Sequence, residues 1–144
     1  MKRLLLSVIV LALLGVAVSV YSLIYSYGDG GGFCSISETF DCDVVQGSSY
    51  ARIFGIKVAH LGVIGYALVA VGAFLKRRDP TDQVLSWFLV LACSGGLLFS
   101  FYLTGIEAFV LGSWCILCLG SQAVMLALSL LVGTLFVHER SRLV

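Results

Sequence analysis

The sequence predicts an all-α fold, a bundle of four transmembrane helices with both termini inside, and three observations predict it. The chain has 144 residues, 60% hydrophobic and only 12% charged, with a mean hydropathy of +1.05. A water-soluble domain of this size has too little interior to hide so much apolar surface. Four stretches, about 4–27, 58–75, 84–103 and 115–137, contain no Asp, Glu, Lys or Arg. Each approaches the roughly 20 residues a helix needs to cross hydrocarbon, and none shows the alternation of a barrel strand. Basic residues then sort by side. Lys2, Arg3, Lys76, Arg77, Arg78, Arg140 and Arg142 fall on the segments that four helices place with the N-terminus, against Arg52 and Lys57 opposite. Basic loops stay inside, so the orientation is N-in and C-in.

The elements follow in order. Stretch 4–27 exceeds the apolar core of about 7–15 residues in a cleaved signal and ends in Tyr21, Tyr25 and Tyr27, so it reads as a retained helix. The outer loop 28–57 opens with the flexible hinge "GDGGGF", continues as "CSISETFDC" and closes with "GSSYARIFGIKV". In that last piece Tyr50, Ile53, Phe54 and Ile56 share roughly one helical face behind a capping Ser48 or Ser49, which predicts a short amphipathic half-helix on the outer surface. The second helix, 58–75, ends in the inner turn "KRRDPTDQ", where Pro80 needs no N–H partner. The third, 84–103, leads through outer loop 104–114 to the fourth, 115–137, and Trp87 and Trp114 suit the two aromatic belts. The whole chain, 1–144, reads as one integral membrane domain. A net charge of +1 offers nothing to nucleic acid.

The topology gathers the thiols. Cys34 and Cys42 lie in the first outer loop, and Cys115 and Cys118 open the fourth helix from the same side, where disulfides persist. Cys93, mid-membrane, reads as a small core residue. Cys115 and Cys118 stand three apart in a first helical turn, close enough to bridge and favoured as thiolate by the free N–H groups there. Cys34 and Cys42 enclose seven residues. Their bond would be a staple of about 2–3 kcal/mol or a carrier of electrons between a soluble partner and the C-x-x-C. The glycine-rich flank favours the carrier. Four cysteines allow three pairings, and spacing does not choose.

Thiol exchange conserves electrons, so a membrane relay must end on a two-electron carrier. The carrier at home in hydrocarbon is a quinone. Gly62, Gly65, Gly95, Gly96 and Gly120 could make room for its ring beside Cys118, or simply let helices pack closely. His60 and Glu107 are candidate proton-handling groups, with mere tolerance near the interface as the plainer reading. Two other classes compete: four thiolates holding a metal, and a structural membrane subunit with a stabilising disulfide. The second leaves the helix-start C-x-x-C unexplained.

The C-x7-C pair, "SSYARIFGI", a glycine-containing second helix and "WCILCLG" together resemble vitamin K epoxide reductase and its prokaryotic homologues over roughly residues 1–137. The resemblance implies four helices around a quinone of ubiquinone, menaquinone or vitamin K type, under a half-helix lid. By position Cys118 would face the quinone with Cys115 as its disulfide partner, Cys42 would attack that pair, and Cys34 would exchange with an external thiol protein. Ser48, Tyr50, Phe54, Leu61, Gly65 and Gln122 become candidate quinone contacts. Leu61 and Gln122 stand where some members carry an amide and a tyrosine, so carbonyl hydrogen bonding departs from those members. No metal is expected. The chain stops at 144 without the thioredoxin-like domain fused in many homologues, so a separate exported thioredoxin-like protein is the expected partner of a monomer in the plasma membrane, cysteines facing out. Electron flow from that protein to quinone makes disulfides; the reverse use reduces a quinone or its epoxide.

Overall fold

A computed structural model describes residues 1–28, 34 and 36–143. Its elements are α1 (Lys2–Tyr27), α2 (Cys42–Gly47), a 3₁₀ turn (Ser49–Ala51), β1 (Arg52–Ile53), β2 (Ile56–Lys57), α3 (Val58–Arg78), α4 (Gln83–Ile106), a π-helical turn (Glu107–Leu111) and α5 (Ile116–Leu143). Among the described residues four helices are long and apolar enough to cross a membrane: α1, α3, α4 with its π turn, and α5. The glycine-rich stretch 29–33, expected as a hinge, lies outside the described residues.

The four long helices close into a ring. α1 packs on α3 and α5, and α4 packs on the same two from the other side. Loop chemistry marks where each helix stops. Asp82 Oδ1 accepts the Val84 N–H at 2.8 Å and caps α4, supplying one of the acceptors an N-terminus needs. Lys76, Arg77 and Arg78 close α3 and Arg140 and Arg142 close α5, matching the negative end of each helix dipole. These residues make one end of the bundle basic; the cysteines make the other end the thiol end.

Toward the basic end the ring is filled. Leu5, Val8 and Ala12 of α1 meet Val69 and Ala73 of α3, Leu89 and Cys93 of α4, and Leu128 and Val132 of α5. Tyr66 crosses this layer, 2% exposed, with its hydroxyl donating to the Ser121 carbonyl at 2.7 Å. The basic end is latched by an ion pair between a buried lysine and a partly exposed glutamate. Lys76 Nζ sits 2.7 Å from Glu139 Oε1 and donates to the Asp82 carbonyl, while Ser86 Oγ donates to Glu139 Oε2. Three helices are tied there through one carboxylate.

Two local expectations are corrected. Residues 52–57 form a two-stranded hairpin, Arg52 opposite Lys57 and Ile53 opposite Ile56, rather than an amphipathic helix. Its two-residue turn places Phe54 at φ 51° and Gly55 at φ 80°, the pair of left-handed residues that a tight hairpin demands. A helix cannot pass through them. The helical part of the loop comes earlier, as α2, where Asp41 Oδ1 accepts the N–H groups of Asp43 and Val44. Likewise 104–114 is not a plain loop. Helix continues through Ile106 and on through the π turn because apolar residues continue with it; Phe109 stands 91% exposed on the bundle's outside.

Candidate active site

The site is built where the outer loop meets the start of α5. Trp114 donates its N–H to the Thr39 carbonyl at 2.9 Å and pairs with Phe40 in a short parallel bridge. That seam holds the loop beside the residue next to Cys115. α2 carries Cys42, fully buried, and ties back to α1 through the Gln46 amide, which donates to Ser22 Oγ at 3.0 Å. Lys57 reaches across from the hairpin, donating to the Ser26 carbonyl and hydroxyl and lying 3.7 Å from the centre of the Tyr27 ring. The cap is therefore anchored to α1 at two places.

Cys34 and Cys42 form a disulfide with Cα atoms 5.6 Å apart, and Cys115 and Cys118 are free thiols. The sulfurs of Cys34, Cys42 and Cys115 all lie within 4.8 Å of one another. A third sulfur beside a disulfide is the arrangement from which thiol exchange starts. Two of these three sulfurs are bonded to each other, so they are not thiolate ligands for a metal in this state.

Cys115 does not lie inside the helix but opens it. α5 begins at Ile116, and the Cys115 carbonyl accepts the first helical bond, from Leu119 N–H at 2.9 Å. Its sulfur accepts the Cys118 N–H at 3.4 Å, as a serine or aspartate oxygen would at a helix start. The Cys118 thiol donating to this sulfur holds Cys115 below the ordinary thiol range, with the Cys118 amide and the Gln46 side chain adding to it against burial and the nearby Glu107 carboxylate. A thiolate at Cys115 is a good leaving group as well as a nucleophile.

Below the thiols lies a cavity of about 470 Å³, between α1, α3, α4 and α5 and under the cap. Its wall is mostly apolar, with Ser22, Gln46, Ser48, Lys57, Thr104 and Glu107 as polar points toward the thiol end. This is the size and character of a small-molecule site. A Cβ at Gly65 or Gly95 would meet nothing within 4 Å, so these two glycines leave open space rather than close helix contact. Gly62 and Gly96 also line the wall, but there a Cβ would strike Ser19 and Met125.

The sequence candidates divide accordingly. Cys118, Ser48, Tyr50, Leu61 and Gly65 all border the cavity. Gln122 is held instead by Thr104, whose hydroxyl donates to Gln122 Oε1, so the cavity sees Thr104 in its place. Phe54, at the hairpin tip, is 100% exposed and does not line the cavity; the turn that replaces the expected helix points it outward. His60 is absent from the wall too, its ring set edge-on to Tyr27. Sequence reasoning gave little weight to Glu107 and did not single out Gln46 or Tyr66. Glu107 left one signal, a lone acid in an apolar run just before the C-x-x-C.

No curated protein matches the chain. The family described as the vitamin K epoxide reductase family matches residues 6–132, a span that takes in the disulfide, the C-x-x-C and every wall of the cavity. With that match over most of its length, four membrane-length helices and a disulfide beside a free thiol, the chain belongs to the vitamin K epoxide reductase family as a membrane thiol oxidoreductase.

Proposed function

We propose that the protein passes electron pairs from an exported thioredoxin-like protein, through Cys34 and Cys42 and then Cys115 and Cys118, to a quinone, and so generates disulfides. The observation that carries this reading is the contact of Cys115 with the Cys34–Cys42 bond at the mouth of the cavity that Cys118 lines. The cavity's volume, apolar wall and open glycine faces fit a quinone ring. When bound, a quinone supplies an acceptor for two electrons and two protons.

The residues act in sequence. A partner thiolate attacks Cys34 and releases Cys42, and a second partner thiol then frees Cys34, leaving the partner oxidised and the loop pair reduced. Cys42 attacks Cys115 in an oxidised C-x-x-C and releases Cys118. Cys34 then attacks Cys42 and displaces Cys115, whose low pKa suits it to leave as the anion. The loop disulfide is restored and the electron pair rests on Cys115 and Cys118, which fits the bonded Cys34–Cys42 and free Cys115 and Cys118 of the fold. Cys118 holds that pair against the cavity, where Leu61, Gly65, Tyr50 and Ser48 shape the space around it.

We further assign the thiol end to the exoplasmic face of a plasma membrane, from the seven-to-two bias of basic residues, and one integral membrane domain to the whole chain, acting as a monomer.

The test uses purified protein in lipid nanodiscs. Cys118→Ala should abolish quinol formation while still exchanging with dithiols, and Cys34→Ala should lose exchange with a thioredoxin-like donor while keeping part of its reaction with small thiols. Stoichiometric zinc in protein that ignores quinone would contradict the reading.

A further inference from the structure

Glu107 is 3% exposed and sits at the first position of the π turn. Short π segments within a helix often mark functional sites, because the extra residue re-aims the side chains around it. Here the carboxyl is turned inward to the C-x-x-C. Glu107 Oε2 accepts the Cys115 backbone N–H at 3.2 Å, and Cys118 stands beside the same carboxyl on the cavity wall. The turn that follows, through Gly112 at φ 64°, brings the chain back so that Cys115 lies over Glu107. Among the described residues, the titratable side chains beside this carboxyl are Cys115 and Cys118.

The two cysteines differ in what they need. Cys115 can carry negative charge, because the first turn of α5 and the Gln46 amide donate to its sulfur. Cys118 has no such help: its own N–H is spent on Cys115, and it borders an apolar cavity beside Leu111 and Leu117. Releasing Cys118 as a bare anion there would leave an unpaired charge in apolar surroundings, at a cost of several kcal/mol. A proton must arrive with the electrons. The carboxyl beside that thiol on the cavity wall, already bound to the neighbouring Cys115 N–H, is Glu107.

We propose that Glu107 is the acid–base partner of Cys118, giving it a proton when the Cys115–Cys118 bond breaks and taking the proton back when that bond forms. The inference rests on the thiol relay proposed above but not on the quinone. In the breaking direction the Cys42 thiolate attacks Cys115, the Cys42–Cys115 bond forms, the Cys115–Cys118 bond breaks, and the Glu107 carboxyl proton moves to the Cys118 sulfur, leaving carboxylate. No net oxidation occurs, since one disulfide replaces another. In the forming direction Cys118 gives its proton to the Glu107 carboxylate as its sulfur attacks Cys115 and displaces Cys42.

Glu107→Gln separates this role from a structural one. The amide oxygen can still accept the Cys115 N–H, but the side chain can no longer carry a proton at working pH. In quinone-free nanodiscs, rapid-quench alkylation with peptide mass spectrometry follows how fast dithiol opens Cys115–Cys118 and how fast it opens Cys34–Cys42. Loss of a positioned acid–base group typically costs about 10²-fold or more, so Glu107→Gln should slow Cys118 release by about that factor and leave the Cys34–Cys42 step unchanged. Glu107→Asp should recover part of the rate. If Glu107→Gln does not fold, the wild type still decides. Deuterated solvent should slow the Cys118 step and not the loop step. Equal rates in Glu107→Gln and wild type, or no isotope effect on the Cys118 step, would overturn the assignment. A wild type that exchanges normally but reduces no quinone would sink the proposed function and leave Glu107 in place.

Discussion

At the basic end the four helices meet in a filled core, whereas at the thiol end the same four helices stand around a cavity, and Gly15 and Gly65 show packed and open faces side by side. A Cβ added at Gly15 would fall 2.4 Å from the Tyr66 ring, so that glycine exists to let α1 and α3 touch. A Cβ added at Gly65, on the same helix as Tyr66, would meet nothing within 4 Å. At one level of α3, glycine thus closes space on one face and opens it on another. The polar groups divide similarly. Lys76, Glu139 and Ser86 satisfy one another and leave little chemistry to do. At the thiol end the Glu107 carboxyl and the Cys118 N–H both meet Cys115, whose sulfur lies beside the Cys34–Cys42 bond. The filled end provides stability; the hollow end provides reactivity.

Substitutions can break or sharpen this contrast. The largest effect on stability should come from Lys76→Ala, which strands the Glu139 carboxylate and should cost about 3–5 kcal/mol. The double change Lys76→Met with Glu139→Leu should be nearly neutral, and reversible unfolding in mixed micelles measures both. Gly15→Ala comes next, at about 1–3 kcal/mol, because the Tyr66 ring must move to admit one methyl. Gly65→Ala should reverse the sign, gaining up to about 1 kcal/mol from helix propensity in open space. Gly65→Leu should leave stability intact and raise the KM for quinone, since its side chain fills the cavity. Tyr66→Phe should cost about 1 kcal/mol, for a hydrogen bond whose acceptor, the Ser121 carbonyl, is already in the α5 backbone. A Gly65→Ala cost as large as that of Gly15→Ala would erase the distinction between the packed face and the cavity face.

The bundle was legible in the sequence because membrane solvation imposes a simple rule: long apolar runs become helices, and their ends carry charge. Helix ends were less legible. α4 runs past the expected 103 because Ile106, Ala108 and Phe109 remain apolar, and Glu107 inside that run read as a loop residue. Only a folded π turn shows that its carboxyl faces inward. The four cysteines could be grouped on one face from topology alone, yet their pairing could not, since spacing permits all three combinations. The amphipathic face assigned to Tyr50, Ile53, Phe54 and Ile56 failed for a definite reason. Phe54 and Gly55 both adopt left-handed backbone, and a two-residue hairpin places neighbouring apolar side chains on surfaces that a helical wheel would have merged. Tyr50 reaches the cavity and Phe54 points away.

The central claim is that electrons cross from the loop to the helix through a bond between Cys42 and Cys115. The Cys34→Ala, Cys118→Ala double variant removes the resolving sulfur from each pair and leaves those two facing each other. Under mild oxidation in nanodiscs, non-reducing peptide mass spectrometry should find Cys42 and Cys115 joined in nearly every molecule. Recovery of both as free thiols, under conditions that fully oxidise the wild-type loop pair, would contradict the account.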